Sequence, residues 1–176
     1  MLAEASADPY PGFTAPVTVW VFQEVDTDNV EDLHSLLGPQ YSLGTYTSSN
    51  EDTYSGAQAM FYRSDMVAEV VSGHDDIYTG AGRRSDRWQV RLLGSSPVCD
   101  FYIYSSHLKA STGSANQEDR RQGIEWLLDT TDEIPAGSCI IFHGNVWCET
   151  HSFAQASAGV VRGVAWPGRH GAFDKK

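Results

Sequence analysis

The hydrophobic and polar positions change period several times along the chain. Val17 to Phe22 is a β-branched and aromatic run, which reads as a strand buried on both faces. Asp26 or Asp28 can cap a following helix with Val30, Leu33, Leu36 and Leu37 on one face, and Gly38-Pro39 stops it. The period then becomes two. Tyr41 to Thr47, Ala57 to Arg63 and Met66 to Ser72 are short strand candidates separated by Ser, Asn, Asp and Gly. Arg87 to Leu93 alternates most cleanly, with Trp88, Val90 and Leu92 facing one way and Arg87, Gln89 and Arg91 the other. Asp100 to Ser106 is another strand. Asn116 to Asp129 returns to helical spacing on Ile124, Leu127 and Leu128, with Glu118-Asp119-Arg120-Arg121 as its solvated first turns. Gly137 to Gly144 is a further buried strand. His151 to Val161 can form a weak helix, and the Gly-rich tail beyond it has no period. The pattern predicts a mixed α/β (α+β) domain dominated by antiparallel strands.

Composition narrows the class. With 176 residues, 41% of them hydrophobic, the chain suits one globular domain that buries roughly two-thirds of its chain surface. No apolar run approaches the roughly 18 residues of a membrane span, and the first residues lack a basic leader and apolar stretch, so a soluble chain with no visible signal peptide is expected. The net charge of -11 argues against a broad basic nucleic-acid face. It leaves room for a site whose metal ion supplies positive charge locally. Three cysteines, Cys99, Cys139 and Cys148, are too few for a disulfide framework.

Three strand ends carry polar clusters: Gln23-Glu24, then His107 with Lys109, then His143 with Asn145. A carboxylate, an imidazole and a carboxamide meeting at one rim would suit a hard divalent cation and a phosphate oxygen. Strands also end in polar residues simply where they reach water. On that alternative Glu24 is a loop acid, His107 a hydrogen-bonded strand histidine and Asn145 a turn residue. A second cluster, Cys139, His143, Cys148 and His151, contains zinc-type donors. Its spacing does not follow the common zinc forms, and zinc is disfavoured.

The segment Val21-Phe22-Gln23-Glu24-Val25-Asp26 resembles the strand-borne glutamate motif of the endonuclease/exonuclease/phosphatase superfamily, the deoxyribonuclease-I-like proteins. Ala59 to Asp65, Ser105-Ser106-His107-Leu108-Lys109-Ala110 and Ile140 to Val146 resemble later strands of that family, in the right order. The resemblance implies a four-layer α/β/β/α sandwich of two mixed, mostly antiparallel sheets with the site at one rim. It also implies Mg²⁺-dependent hydrolysis of a phosphoester, with Mn²⁺ as the alternative ion. Glu24 would be the metal ligand, His107 would contact the scissile phosphate, and Asn145 would position the phosphate and the attacking water. The substrate would be DNA, a phospholipid or an inositol phosphate.

The chain departs from the family in three places. His143 stands where an ungapped alignment expects an Asp, no Asn occurs in residues 1–23, and no Asp-His pair follows Asn145. Loss of a general base costs about 10²- to 10⁴-fold in rate. The expected protein is therefore a shortened family member with an incomplete site, and the alternative is a non-catalytic relative or partial domain acting as a binding module. Residues 1–16 read as an irregular lead, 17–146 as the family-like domain, and 147–176 as a divergent segment packed on it or trailing from it.

Overall fold

The computed structural model describes residues 16–47 and 57–145. The expected lead, the C-terminal segment with its weak helix, and Cys148 and His151 lie outside the described residues. Among the described residues, eight strands and two α-helices follow in the order β1 (Val19–Val25), α1 (Thr27–Leu37), β2 (Tyr41–Leu43), β3 (Ala57–Arg63), β4 (Val67–Glu69), β5 (Asp75–Gly80), β6 (Arg83–Leu92), β7 (Cys99–His107), α2 (Ser114–Thr130) and β8 (Cys139–Asn145). One sheet has the order β1-β3-β2. The other runs β4-β6-β7-β8, with β5 also paired to β6. Every pairing is antiparallel except β7 with β8, which α2 connects as a crossover.

Three apolar clusters stack these elements into four layers. Val30 and Leu37 of α1 pack on Ala59 and Phe61 of β3. Met60, on the opposite face of β3, meets Val67, Trp88, Val90 and Ile103 between the sheets. Leu127 of α2 packs with Ile77, Tyr102 and Tyr104 on the outer face of the second sheet. The side-chain period of two makes this possible, because consecutive residues of a buried strand feed different layers. In β1, Trp20 and Phe22 face the α1 layer while Val19 and Val21 face the second sheet. The expected two-sided packing of that strand holds, although Val19 to Phe22 are each only half-buried.

Several expected details differ. Tyr41 to Thr47 pairs only as far as Leu43, because the chain then leaves the sheet as a strap. There Trp88 Nε1 donates to Thr45 O at 2.8 Å, and the Glu69 carboxylate accepts from Thr45 N at 2.9 and 3.1 Å. Met66 to Ser72 is a strand only over Val67–Glu69, followed by a short 3-10 turn. The hairpin β5–β6 is longer than its hydrophobic pattern suggested. Asp75 and Asp76 hide β5, whereas the Ala81-Gly82 turn, with φ of 52° and 69°, supplies the left-handed pair that joins two twisted strands. Arg120 is the clearest exception to the solvated helix start. It is buried, and its guanidinium donates to Lys109 O at 2.9 Å and Ser111 O at 2.8 Å, clamping the loop after β7. Arg121 takes the expected exposed role, paired with Glu118 and Glu125.

Candidate active site

Sheet register explains how the three candidate residues come together. On the face turned to the first sheet, Trp88, Ile103 and Ile141 lie side by side across β6, β7 and β8. Two residues further along, the row is Asp86, Ser105 and His143. The next row, at the rim, pairs His107 with Asn145, and Arg84 follows Asp86 along β6. Because side chains alternate across a strand, the Trp88 and Asp86 rows face the inter-sheet layer, and His107 follows Ser105 on that same side of β7. His107 and Asn145 are thus neighbours on parallel strands.

Glu24 reaches them from the other sheet through a distortion. The β1–β3 register skips one residue between Phe22 and Val25, a β-bulge, and Glu24 sits in it with φ of 56°. A left-handed conformation costs a non-glycine residue about 1–2 kcal/mol. The distortion lets consecutive side chains both reach the second sheet. Gln23 Nε2 donates to Ser106 O at 2.7 Å, and Glu24 Oε1 lies 3.2 Å from His107 Nδ1. Strain of this kind persists only where surrounding structure over-determines it. Gln23 supplies part of that determination.

Burial dominates the electrostatics. The Glu24 side chain is 60% exposed whereas that of His107 is 13% exposed. Burial pulls the His107 imidazole below its ordinary range, against the opposing pull of Glu24, and Arg83 lowers it further. The 3.2 Å contact lacks hydrogen-bond alignment, so His107 Nδ1 is a buried polar atom without a hydrogen-bond partner. Such an orphan carries a desolvation cost and is common where a ligand completes a site.

One row deeper, Asp86 is 4% exposed at its side chain and accepts from His74 Nε2 at 3.1 Å. Burial pushes the Asp86 carboxyl up, partly offset by the His74 hydrogen bond and charge. Nothing in the hydrophobic pattern marked Asp86, because a buried acid in an alternating strand looks like its solvated face. Gly144 is required by packing, since a Cβ there would stand 2.6 Å from Ser106 O. Its place beside His143 and Asn145 brings β8 tightly against β7 just below the rim.

At this rim the oxygen ligand open to a cation is the exposed Glu24 carboxylate. Among the described residues no three His, Cys, Asp or Glu side chains gather into a metal-holding group. Mg²⁺ retains several waters and is commonly held by one or two carboxylates plus substrate phosphates. The exposed Glu24 carboxylate could take that part, whereas the His107 ring nitrogen is not an oxygen ligand of the kind Mg²⁺ prefers.

No protein-family model matches the sequence, and no curated protein matches it. Solved structures do. The chain superposes on the human Nocturnin catalytic domain with bound sulfate (TM-score 0.57, 20% identity, 73% of this chain and 50% of that one). It superposes equally on D. rerio TDP2 complexed with a single-strand DNA product (0.56, 19%, 72% and 46%). The endonuclease/exonuclease/phosphatase from Bacteroides vulgatus gives 0.59 at 17% identity over 73% of this chain and 51% of that one. The chain spans about half the length of these proteins. Two sheets between two helical layers, with the glutamate strand and the histidine strand meeting at one rim, therefore constitute the deoxyribonuclease-I-like fold of the endonuclease/exonuclease/phosphatase proteins, in shortened form.

Proposed function

We propose that the protein is a metal-dependent phosphoester hydrolase. The observation that carries this reading is the meeting of Glu24 and His107 across two sheets at 3.2 Å, with Asn145 beside His107 and a strained bulge holding Glu24 in place. Glu24 would hold Mg²⁺ or Mn²⁺. The bound ion would polarise a phosphoryl oxygen and offset its charge, which a chain of net charge -11 needs locally. His107, with Nδ1 turned to Glu24, contacts the phosphate through its other ring nitrogen and opposes the charge that develops there. Asn145 orients the phosphate and the attacking water. The substrate belongs to the phosphoester class, with a nucleic acid, a phospholipid and an inositol phosphate as its candidates. TDP2 crystallised with a DNA product, and a mannosyl-6-phosphatase from Bacteroides thetaiotaomicron, of similar fold, support a phosphoester without choosing one.

The test is turnover of bis-p-nitrophenyl phosphate with Mg²⁺ or Mn²⁺. Hydrolysis that disappears in His107→Ala, together with a Mg²⁺-dependent rise in melting temperature that disappears in Glu24→Gln, is the expected result. A second reading, a relative that binds phosphoesters without cleaving them, is favoured by one observation. Among the described residues no third ligand-type side chain joins Glu24 and His107. A melting shift without any turnover would select it.

A further inference from the structure

Residues 44–47 leave the first sheet after β2, yet each of them is tied to another segment. Gly44 N donates to Met60 O at 2.8 Å, Thr45 is held by Glu69 and Trp88, and Thr47 hydrogen-bonds the buried Asp86 carboxyl. Between these anchors the Tyr46 hydroxyl donates to Val25 O at 2.7 Å and is hydrogen-bonded to the Thr27 side chain. Burial raises this hydroxyl above its ordinary range despite the Thr27 hydrogen bond, and the charges of Asp26 and Asp86 add to the rise. It therefore stays a donor at neutral pH. Val25 closes the β1 bulge on its downstream side, opposite Ala57 and one residue after the left-handed Glu24. Upstream, the Gln23 side chain is tied to Ser106 O. Glu24 thus sits between two pins that come from outside its own strand pair.

We propose that Tyr46 is a positioning residue for Glu24, its hydroxyl fixing the downstream flank of the bulge so that the carboxylate stays at the rim for a divalent cation. This inference rests on the metal-dependent hydrolase reading and deepens it. Tyr46 touches neither ion nor substrate; it acts through Val25 and the bulged backbone. A left-handed residue persists only while its surroundings over-determine it. With one pin removed, Glu24 can relax toward extended backbone, and because side chains alternate along a strand that rotation carries the carboxylate away from His107 Nδ1. Only the hydroxyl is needed for this. The ring itself packs against the cluster of Val25, Tyr41 and Phe61 on the α1 side, a contact that phenylalanine would keep.

The experiment titrates the full chain with Mg²⁺ alone, read by melting shift and by calorimetry, in wild type, Tyr46→Phe and Ile77→Val. Ile77→Val softens the outer layer, away from the bulge, at a comparable loss of stability. The expected result is that half-saturating Mg²⁺ rises about five- to tenfold in Tyr46→Phe and stays within about twofold of wild type in Ile77→Val. A merely structural tyrosine would not separate the two variants. In bis-p-nitrophenyl phosphate hydrolysis Tyr46→Phe should need correspondingly more Mg²⁺, with kcat recovered once the ion saturates, because affinity and not the chemical step has changed. If Tyr46→Phe loses its cooperative melt, Thr27→Val decides, with a rise of about two- to threefold expected from the loss of the hydroxyl's second partner. A wild-type Mg²⁺ requirement in the deciding variant, or an equal rise in Ile77→Val, overturns the positioning assignment and leaves the hydrolase reading standing. A wild type that neither binds Mg²⁺ or Mn²⁺ nor turns over the diester overturns the hydrolase reading itself, and the assignment falls with it.

Discussion

Trp88, Ile103 and Ile141 form one row across β6, β7 and β8, and the row four residues further along these strands contains His107 and Asn145. Both rows hang on the same continuous hydrogen-bonded ladder, so strand pairing does not distinguish them. What differs is the opposing sheet. Met60, Val19 and Val21 close over the first row, whereas the bulge of β1 presents Gln23 and Glu24 to the second. Trp88 and Ile103 are almost wholly buried, while the rim holds an exposed carboxylate and an imidazole nitrogen without a hydrogen bond. The lesson is that this fold leaves room for the candidate site by withholding apolar filling at one end of a lattice that is otherwise uninterrupted.

The contrast can be broken most directly at its apolar end. Trp88→Ala empties the centre of the inter-sheet layer and leaves Thr45 O without its donor, so a loss of about 3–5 kcal/mol is expected from denaturant unfolding. A loss below about 1 kcal/mol would mean that the two rows are packed alike. Arg120→Ala tests the clamp beyond β7. Removing a buried cation that donates to two carbonyls should cost about 1.5–3 kcal/mol and raise KM more than it lowers kcat, because the loop it holds follows His107 directly. An unchanged KM would detach that loop from the site.

The intermediate row offers a smaller test with a definite sign. His74→Ala leaves the buried Asp86 carboxylate without its ring donor, at about 1–3 kcal/mol. Because burial holds Asp86 above the ordinary carboxylate range, the folded state binds its proton more tightly than the unfolded chain does. Stability should therefore fall as pH rises from the ordinary carboxylate range through the raised value, and acidification across that window should favour wild type relative to Asp86→Asn. Parallel melting profiles for the two proteins would contradict this. At the rim, Glu24→Gly relieves a left-handed backbone and should stabilise the fold by about 1 kcal/mol while abolishing the Mg²⁺ shift. A destabilised variant would show that the bulge is not strained.

Much of the layer scheme was legible in the pattern. Two-sided hydrophobicity in Val17 to Phe22 and the alternation around Trp88 reported the inter-sheet core, because period-two burial leaves a direct trace in composition. Asp75–Gly80 left no such trace, since two acids at its start mask the buried Ile77 and Thr79. At the site, residue types at strand ends nominated Glu24, His107 and Asn145. Their roles remain proposals, but the structure does bring Glu24 against His107 and sets Asn145 beside it. Asp86 and Arg120 escaped notice because a charged residue in sequence looks solvated until a partner from a distant segment is known.

By itself, the sequence determined most of the strands and both helices, though not β5, and which strand ends carry ligand-type side chains, since propensity and periodicity are properties of neighbours along the chain. Only the tertiary structure decided which of those ends meet. The one-residue slip in β1 turns Gln23 and Glu24 together toward the second sheet, and the parallel register of β8 sets His143 and Asn145 opposite Ser105 and His107. Both are long-range pairings, fixed by how two sheets pack and not by the residues beside them.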